Sequence, residues 1–309
     1  IIRNGKLAPE AIAGLPKNIR VEGQGGLLDV ALHPDFKNNN YVYISYSGKG
    51  DDGNGTEIAR GTFNGHRLSN VEVIFRVAPK TSSDYHFGGR LQFLADGTLI
   101  LTTGDKYTHM KDAQSPDNHL GTIVRINDDG SVPSDNPFIG KADAKPEVYS
   151  YGHRNVQGIA VDPNNNNLWI HEHGPQGGDE VNLIEPGKNY GWPAITYGID
   201  YSGDIISDKT EAPGMEQPVV YWDPSIAPSG MAYYDGDKFP KWQGNLFVGA
   251  LAHMHLRRLE MKDNKVVVQE KLLEDLEERI RDVVTGPDGY IYILTDNDEG
   301  RVLRLEPAE

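Results

Sequence analysis

The sequence predicts an all-β fold, and within that class a β-propeller. Three observations lead there. A turn phrase followed by a short strand recurs five times along the chain. The turns are built from Asp, Asn, Gly and Pro, which supply turn dihedrals and local side-chain hydrogen bonds. Fifteen Tyr, four Trp, 35 Gly and 19 Pro suit a turn-rich sheet protein better than a helical one. A small β unit recurring at this scale reads as a series of propeller blades. Unrelated hairpins in a β-sandwich are the alternative.

The five units occur in order at 33–47 (HPDFKNNNYVYISYS), 94–105 (LADGTLILTTGD), 162–174 (DPNNNNLWIHEHG), 241–252 (KWQGNLFVGALA) and 286–298 (GPDGYIYILTDND). Their strands alternate apolar and polar residues, the period of a sheet with one face in a core. Measured between Pro34, Asp96, Pro163, Trp242 and Asp288, the steps are 62, 67, 79 and 46 residues. Such uneven steps place inserted loops between blades. The polar, Gly-rich segments 48–57 and 200–216 are expected to be exposed insertions. Residues 272–284 (LLEDLEERIRDVV) carry a helix-like apolar period but run straight into the GPDG turn at 286–289. A strand or irregular loop ending at Val284 is therefore expected. No linker or composition shift divides the chain, so residues 1–309 read as one domain.

With 30 basic and 45 acidic residues the net charge is −15. That argues against nucleic acid or an anionic membrane surface as partner. It leaves room for a small anion held by local arginines, and acidic loops suit calcium. There is no cysteine, so disulfides, thiolate chemistry and Cys-type zinc sites are excluded. Absence of thiols suits an oxidising compartment. No apolar run approaches the roughly 18 residues of a membrane-spanning helix. The opening, IIRNGKLAPEAIAGLP, carries no signal peptide and reads as the middle of a domain.

The most informative stretch is HFGGRLQFLADGTLILTTGD (86–105). Read as strand–turn–strand about Asp96-Gly97, it places His86 and Asp105 at the two outer ends of one hairpin. A carboxylate beside an imidazole fixes its tautomer and strengthens it as a base. The plainer reading makes Asp105 a turn residue and His86 a surface residue. Arg154 and Asn155, in a loop before a strand, suit a carboxylate ligand or the capping of loop carbonyls. Arg279 and Arg281, two apart on an extended segment, point to one side and make a local anion site or two solvated charges.

The loop 171–193 (HEHGPQGGDEVNLIEPGKNYGWP) offers oxygen ligands. Gly174-Pro175 leaves carbonyls free for a cation, and Asp179, Glu180 and the later Asp200 add carboxylates. Oxygen-only ligation favours calcium. His171 and His173 lack the third partner zinc requires. Gln24, flanked by glycines, marks a close backbone approach or a tight turn.

Together these segments resemble the soluble, quinone-dependent aldose sugar dehydrogenases, relatives of the soluble glucose dehydrogenase that uses pyrroloquinoline quinone (PQQ). The resemblance runs in order from about residue 5 to 306. It is carried by GQGGLLDVALHPDF, HFGGRLQFLADGTLILTTGD, LGTIVRINDDGSVPSDNPF, YGHRNVQGIAVDP, HGPQGGDEVNLIEPGKNYGWP, APSG and RIRDVVTGPDG. It implies a six-bladed β-propeller. The sixth blade would come from chain before Ile1 or from 301–306 (RVLRLE) closing the ring, so N-terminal strands and a signal peptide are expected to be missing from this chain.

The resemblance also implies roles. His86 corresponds to the base that takes the sugar hydroxyl proton and Asp105 to the aspartate that orients it. Gln24, Arg154, Asn155 and, less closely, Gln157 correspond to residues at the quinone, and Arg279 and Arg281 to the pair facing its carboxylates. Gly174 and Pro175 correspond to carbonyl ligands of a catalytic calcium. Glu180, Tyr190 through its carbonyl, and Asp200 correspond to a structural calcium site. A family lysine over the quinone is replaced at Ala252, with His253 next, and the segment after Asp105, with Gln114, aligns loosely.

The implied activity is PQQ- and calcium-dependent oxidation of aldose sugars to lactones. The electron acceptor is left open, the assembly is a monomer or homodimer, and the location is periplasmic or secreted. A calcium-dependent propeller hydrolase of lactonase type would share the calcium and the His/Asp pair but not three converging arginines. A non-catalytic propeller would share only the repeats.

Overall fold

The structure, a computed structural model, describes residues 1–308. It is an all-β propeller of antiparallel meander sheets, preceded by a two-stranded hairpin, Ile2–Arg3 with Lys6–Leu7. The first sheet runs Leu27–Leu32, Tyr41–Gly50, Gly53–Phe63, Leu68–Arg76. The second runs Leu91–Phe93, Leu99–Thr102, Thr122–Ile126, Val148–Tyr151. The third comprises Val156–Val161, Leu168–Glu172, Asp179–Ile184, Val220–Trp222. The fourth comprises Pro228–Tyr233, Leu246–Ala250, His255–Lys262, Lys265–Leu272. The fifth has three strands, Ile280–Thr285, Ile291–Thr295, Val302–Leu305.

Five sheets correspond to the five sequence units, and the expected sixth blade is not formed among the described residues. Val302–Leu305 pairs with Ile291–Thr295 as the third strand of the fifth sheet and does not start a new one. The connection between them is short, and short connections fold consecutive strands into hairpins.

Side chains from facing sheets fill the spaces between them. Tyr43 and Ile58 pack on Leu99, Leu101 and Val124 between the first and second sheets. Ile100 and Ile123, one residue out of phase, pack on Val156, Ile159 and Ile170 of the third. Trp169 and Val181 meet Met231 and Val248 of the fourth, whose Phe247 and Leu256 meet Ile280, Val283 and Ile293 of the fifth. Ile12, Leu15 and Ile19 cover the outer face of the first sheet, over Val42, Ile44 and Tyr46. The inner strands are thus buried on both faces, and Leu99–Thr102 and Leu168–Glu172 are buried at every position. This corrects the expectation of one buried face: polar residues such as Thr102, His171 and Glu172 sit between sheets, not in solvent.

Segment 48–57 is a second correction. It is no exposed insertion but the tip and flank of the long hairpin Tyr41–Gly50/Gly53–Phe63. Its Glu57 is fully buried, accepting hydrogen bonds from Tyr46 and from Lys80. Residues 272–284 end one strand, make a single 3-10 turn at Glu274–Leu276, and enter the next at Ile280.

Candidate active site

Successive sheets contact one another through their first strands, Leu27–Leu32, Leu91–Phe93, Val156–Val161, Pro228–Tyr233 and Ile280–Thr285. In a meander, the loop entering each first strand and the loop leaving each second strand lie at the same end. Gln24, His86, Arg154 and Arg279 precede first strands, while Asp105, His173–Pro175 and Leu251 follow second strands. Residues from all five sheets therefore meet at one end of the ring.

The hairpin Leu91–Phe93/Leu99–Thr102 closes as its turn chemistry requires, with Leu91 opposite Leu101. Its outer ends bring His86 Nδ1 to 2.7 Å from Asp105 Oδ1. Both side chains are buried. Burial holds the His86 imidazole below its usual value, against the opposing pull of Asp105. The residue is therefore neutral at pH 7, with Nδ1 as donor and Nε2 free to act as a base. His86 has φ +50°, a left-handed conformation unusual for a side-chain-bearing residue, and Gln24 Oε1 accepts its backbone N–H at 2.8 Å.

Two cavities open at this end, one lined by the pair itself and the other by Phe87 and Gly88, which follow His86. One, about 250 Å³, is lined by His86, Asp105, Tyr107, Arg154, Pro175, Trp192, Asp200 and Tyr201. The other, about 490 Å³, is lined by Gln24, Gly88, Asn155, Gln157, His173, Leu251, Arg279 and Arg281. The second is basic: Arg90 lines it together with Arg279 and Arg281. Arg279 and Arg281 also reach Asp296, at 2.8 and 3.0 Å, which offsets part of their charge. Arg154 does not join them. Its guanidinium turns to the carbonyls of His173 (3.1 Å) and Gly174 (2.7 Å) and lies 5.3 Å from the Trp192 ring. The three arginines expected to converge therefore divide between the two cavities. Ala252 sits in the turn after Leu246–Ala250, with its N–H bonded to Ile226, and Leu251 takes the wall of the larger cavity.

The loop 173–178 is tied down by Asp179, whose carboxylate accepts the N–H groups of Gly174, Ile226 and Ala227 and the Ser225 hydroxyl. Those four bonds remove Asp179 from any ligand set. The Gly174 carbonyl already points at positive charge, the polarity a cation needs. Glu180 and Tyr190 line a small cavity with Glu172, whereas Asp200 lines the cavity of His86. Glu180 and Glu172 face each other across paired strands. Burial and the neighbouring Glu172 push the Glu180 carboxyl up to about 8. No group of three or more His, Asp or Glu side chains among the described residues is arranged to hold a metal. Any cation here must draw on backbone carbonyls as well.

Several residues escaped the sequence reading. Trp192 donates its indole N–H to Asp105 Oδ2 at 2.8 Å. Glu172 accepts from His153 Nδ1 (2.9 Å) and from the Arg154 backbone (2.6 Å), fixing the loop that carries Arg154 and Asn155. Lys106 is buried with its ammonium 3.2 Å over the Phe87 ring and bonded to Asn54, and burial lowers it to about 7. The available signal was a tryptophan and a glutamate within otherwise apolar or turn context, since a buried indole N–H requires an acceptor.

Comparison with known proteins agrees with this fold and gives the family. The family model described as Glucose / Sorbosone dehydrogenase matches residues 1–304. Aldose sugar dehydrogenase YliI of Escherichia coli (strain K12) is 46% identical over 308 residues, covering 98% of this chain and 82% of the relative. A crystal structure of a glucose dehydrogenase superposes with TM-score 0.93 at 48% identity, covering 96% of this chain and 87% of the other. The PQQ-bound form of an aldose sugar dehydrogenase from Streptomyces coelicolor superposes with TM-score 0.76 at 30% identity, covering 94% and 82%.

Proposed function

Because the chain belongs to the glucose/sorbosone dehydrogenase family, we propose that it oxidises aldose sugars at C1 to lactones, with PQQ as acceptor and calcium as its companion. The observation that carries this is the buried His86–Asp105 pair lining a small cavity, with a larger basic cavity beginning at the next residues, Phe87 and Gly88. A hydrolase would have no use for the second. The relative from Streptomyces coelicolor, PQQ-bound and matched over 94% of this chain, supports the choice of quinone.

The aldose occupies the cavity beside Tyr107 and Trp192, with its anomeric hydroxyl at His86 Nε2. His86 takes the hydroxyl proton, and Asp105 at Nδ1 keeps the lone pair at Nε2 and stabilises the imidazolium that results. Bound PQQ would supply a two-electron acceptor for the hydride leaving C1. Arg279 and Arg281, with Gln24, Asn155 and Gln157, are the groups that would hold this tricarboxylate, and the basic 490 Å³ cavity suits it. The carbonyls of Gly174 and Pro175 would hold calcium. A second calcium would sit at Glu180 and Tyr190, where the half-buried Glu180 faces the buried Glu172. Asp200, on the sugar side, is better placed to accept a substrate hydroxyl than to complete that set.

The test is reconstitution: add PQQ and calcium to the protein, then follow dye reduction with a panel of aldoses. Reduction with at least one aldose is expected, abolished by chelation and restored by calcium. His86→Ala should retain PQQ and lose turnover by about 10²–10⁴. No reduction with any aldose, or full activity in metal-free protein, would overturn the reading.

A further inference from the structure

Asp105 organises more than the imidazole. Its Oδ1 accepts from His86 Nδ1 at 2.7 Å and from the Tyr107 backbone N–H at 2.8 Å. Its Oδ2 accepts the indole N–H of Trp192, 87 residues away in sequence, at 2.8 Å. The Trp192 backbone is fixed from both sides. Its N–H bonds the Gly152 carbonyl at 2.9 Å, and its own carbonyl accepts Gln114 Nε2 at 2.7 Å. An indole has one donor and no acceptor, so the whole polar capacity of this side chain is spent on Asp105.

We infer that Trp192 is a positioning residue for the base: its indole N–H locks the Asp105 carboxylate in the rotation that presents Oδ1 to His86. The inference rests on the reading of His86 as the base. Rotation of a carboxylate about its terminal bond is soft, so the geometry needs a lock. Tyr107 shares Oδ1 with His86, and among the described residues no other donor reaches Oδ2. Without the indole donor, Oδ2 would be a buried, unpaired charged oxygen. The carboxylate would then either turn away or concentrate its charge on His86. The other charged or titratable groups facing His86 are Arg154, Lys106 and His173, the Tyr107 ring 5.2 Å away, and Asp200 and Tyr201 across the cavity. None of them contacts Asp105 Oδ2, so none can substitute for the indole.

A purely structural Trp192, packing near Arg154, would be replaced adequately by phenylalanine. Trp192→Phe keeps most of the ring and removes only the donor. The first readout is the His86 imidazole titration by NMR in quinone-free protein, and the second is the pH profile of kcat/KM in the loaded enzyme. We expect the titration and the acidic limb to fall together by about 0.5–1 pH unit, the scale of one hydrogen bond, as the unlocked carboxylate turns from the imidazolium, with PQQ affinity within about twofold of wild type; a rise would mean that the charge concentrates on His86 with the rotation unchanged, and would overturn the lock. The NMR readout needs no turnover. A shifted titration in a protein that oxidises no sugar would sink the dehydrogenase reading and keep this one. If Trp192→Phe does not fold, the wild type serves, because the Trp192 indole N–H resonance should move as His86 titrates. An unmoved His86 titration in the variant, or an indole resonance flat through it, overturns the inference.

Discussion

Replacing Asp105 by asparagine tests the core of the site with almost no change in shape. The carboxylate is wholly buried and receives three donors, two on Oδ1 and one on Oδ2. An amide has one acceptor oxygen and one NH₂ that only donates. With its oxygen toward His86 and Tyr107, the NH₂ faces the Trp192 indole N–H, donor against donor. With its oxygen toward Trp192, the NH₂ faces the Tyr107 N–H and forces His86 to accept at Nδ1. The proton then sits on Nε2, and the base is lost. Either way one buried donor goes unpaired, which costs about 1–3 kcal/mol of stability. The second orientation also removes general-base catalysis, worth about 10²–10⁴ in kcat. Urea denaturation of the quinone-free protein measures the first effect. Steady-state turnover of the reconstituted enzyme measures the second, and ¹⁵N shifts of His86 report its tautomer. Wild-type stability together with wild-type turnover would refute the claim that Asp105 sets the state of His86.

Arg281→Ala should weaken PQQ binding by about 1.5 kcal/mol, roughly tenfold in Kd. The low end of the range applies because Arg281 is part-exposed and shares Asp296 with Arg279; equal affinities by calorimetric titration would remove the arginines from the quinone site. The folded-state value of Glu180, raised to about 8, means the folded protein holds a proton that the unfolded chain releases. Metal-free stability should therefore fall as pH rises from about 4.5 to 8, and Glu180→Gln should flatten that fall and abolish any calcium-induced rise in Tm. An unchanged calcium response in thermal melts of the variant would argue against a cation there. Gly158→Ala would place a methyl 2.0 Å from Nε2 of the fully buried His171, so a loss of about 1–3 kcal/mol is expected in chemical denaturation. Wild-type stability would show that the ring can move aside.

Local chemistry made much of this protein legible from sequence. Turn residues at Asp96-Gly97 and an apolar run at 99–101 specify a hairpin whatever surrounds it, and a hairpin brings residues at its ends together. His86 and Asp105 could therefore be paired from sequence. Arg279 and Arg281, two apart on an extended strand, were placed on one side by the same two-residue period, and they line one cavity. Periodicity of the five turn–strand units likewise determined an all-β propeller. What local chemistry does not encode is which sheet lies against which. Burial of His171 and Glu172 depends on neighbouring sheets covering both faces of their strand. The division of the arginines between cavities depends on a contact within the third sheet, Arg154 with the Gly174 carbonyl, in a loop whose Gly174 N–H is held by Asp179. Trp192 reaches Asp105 only because the third sheet packs beside the second, across 87 residues of chain. The sequence by itself thus determined the repeating unit, the base pair and the basic pair, all interactions within one hairpin or one strand. The number of sheets and the lock on Asp105 were decided by packing between sheets, where contact partners are distant in the chain and leave no periodic trace in it.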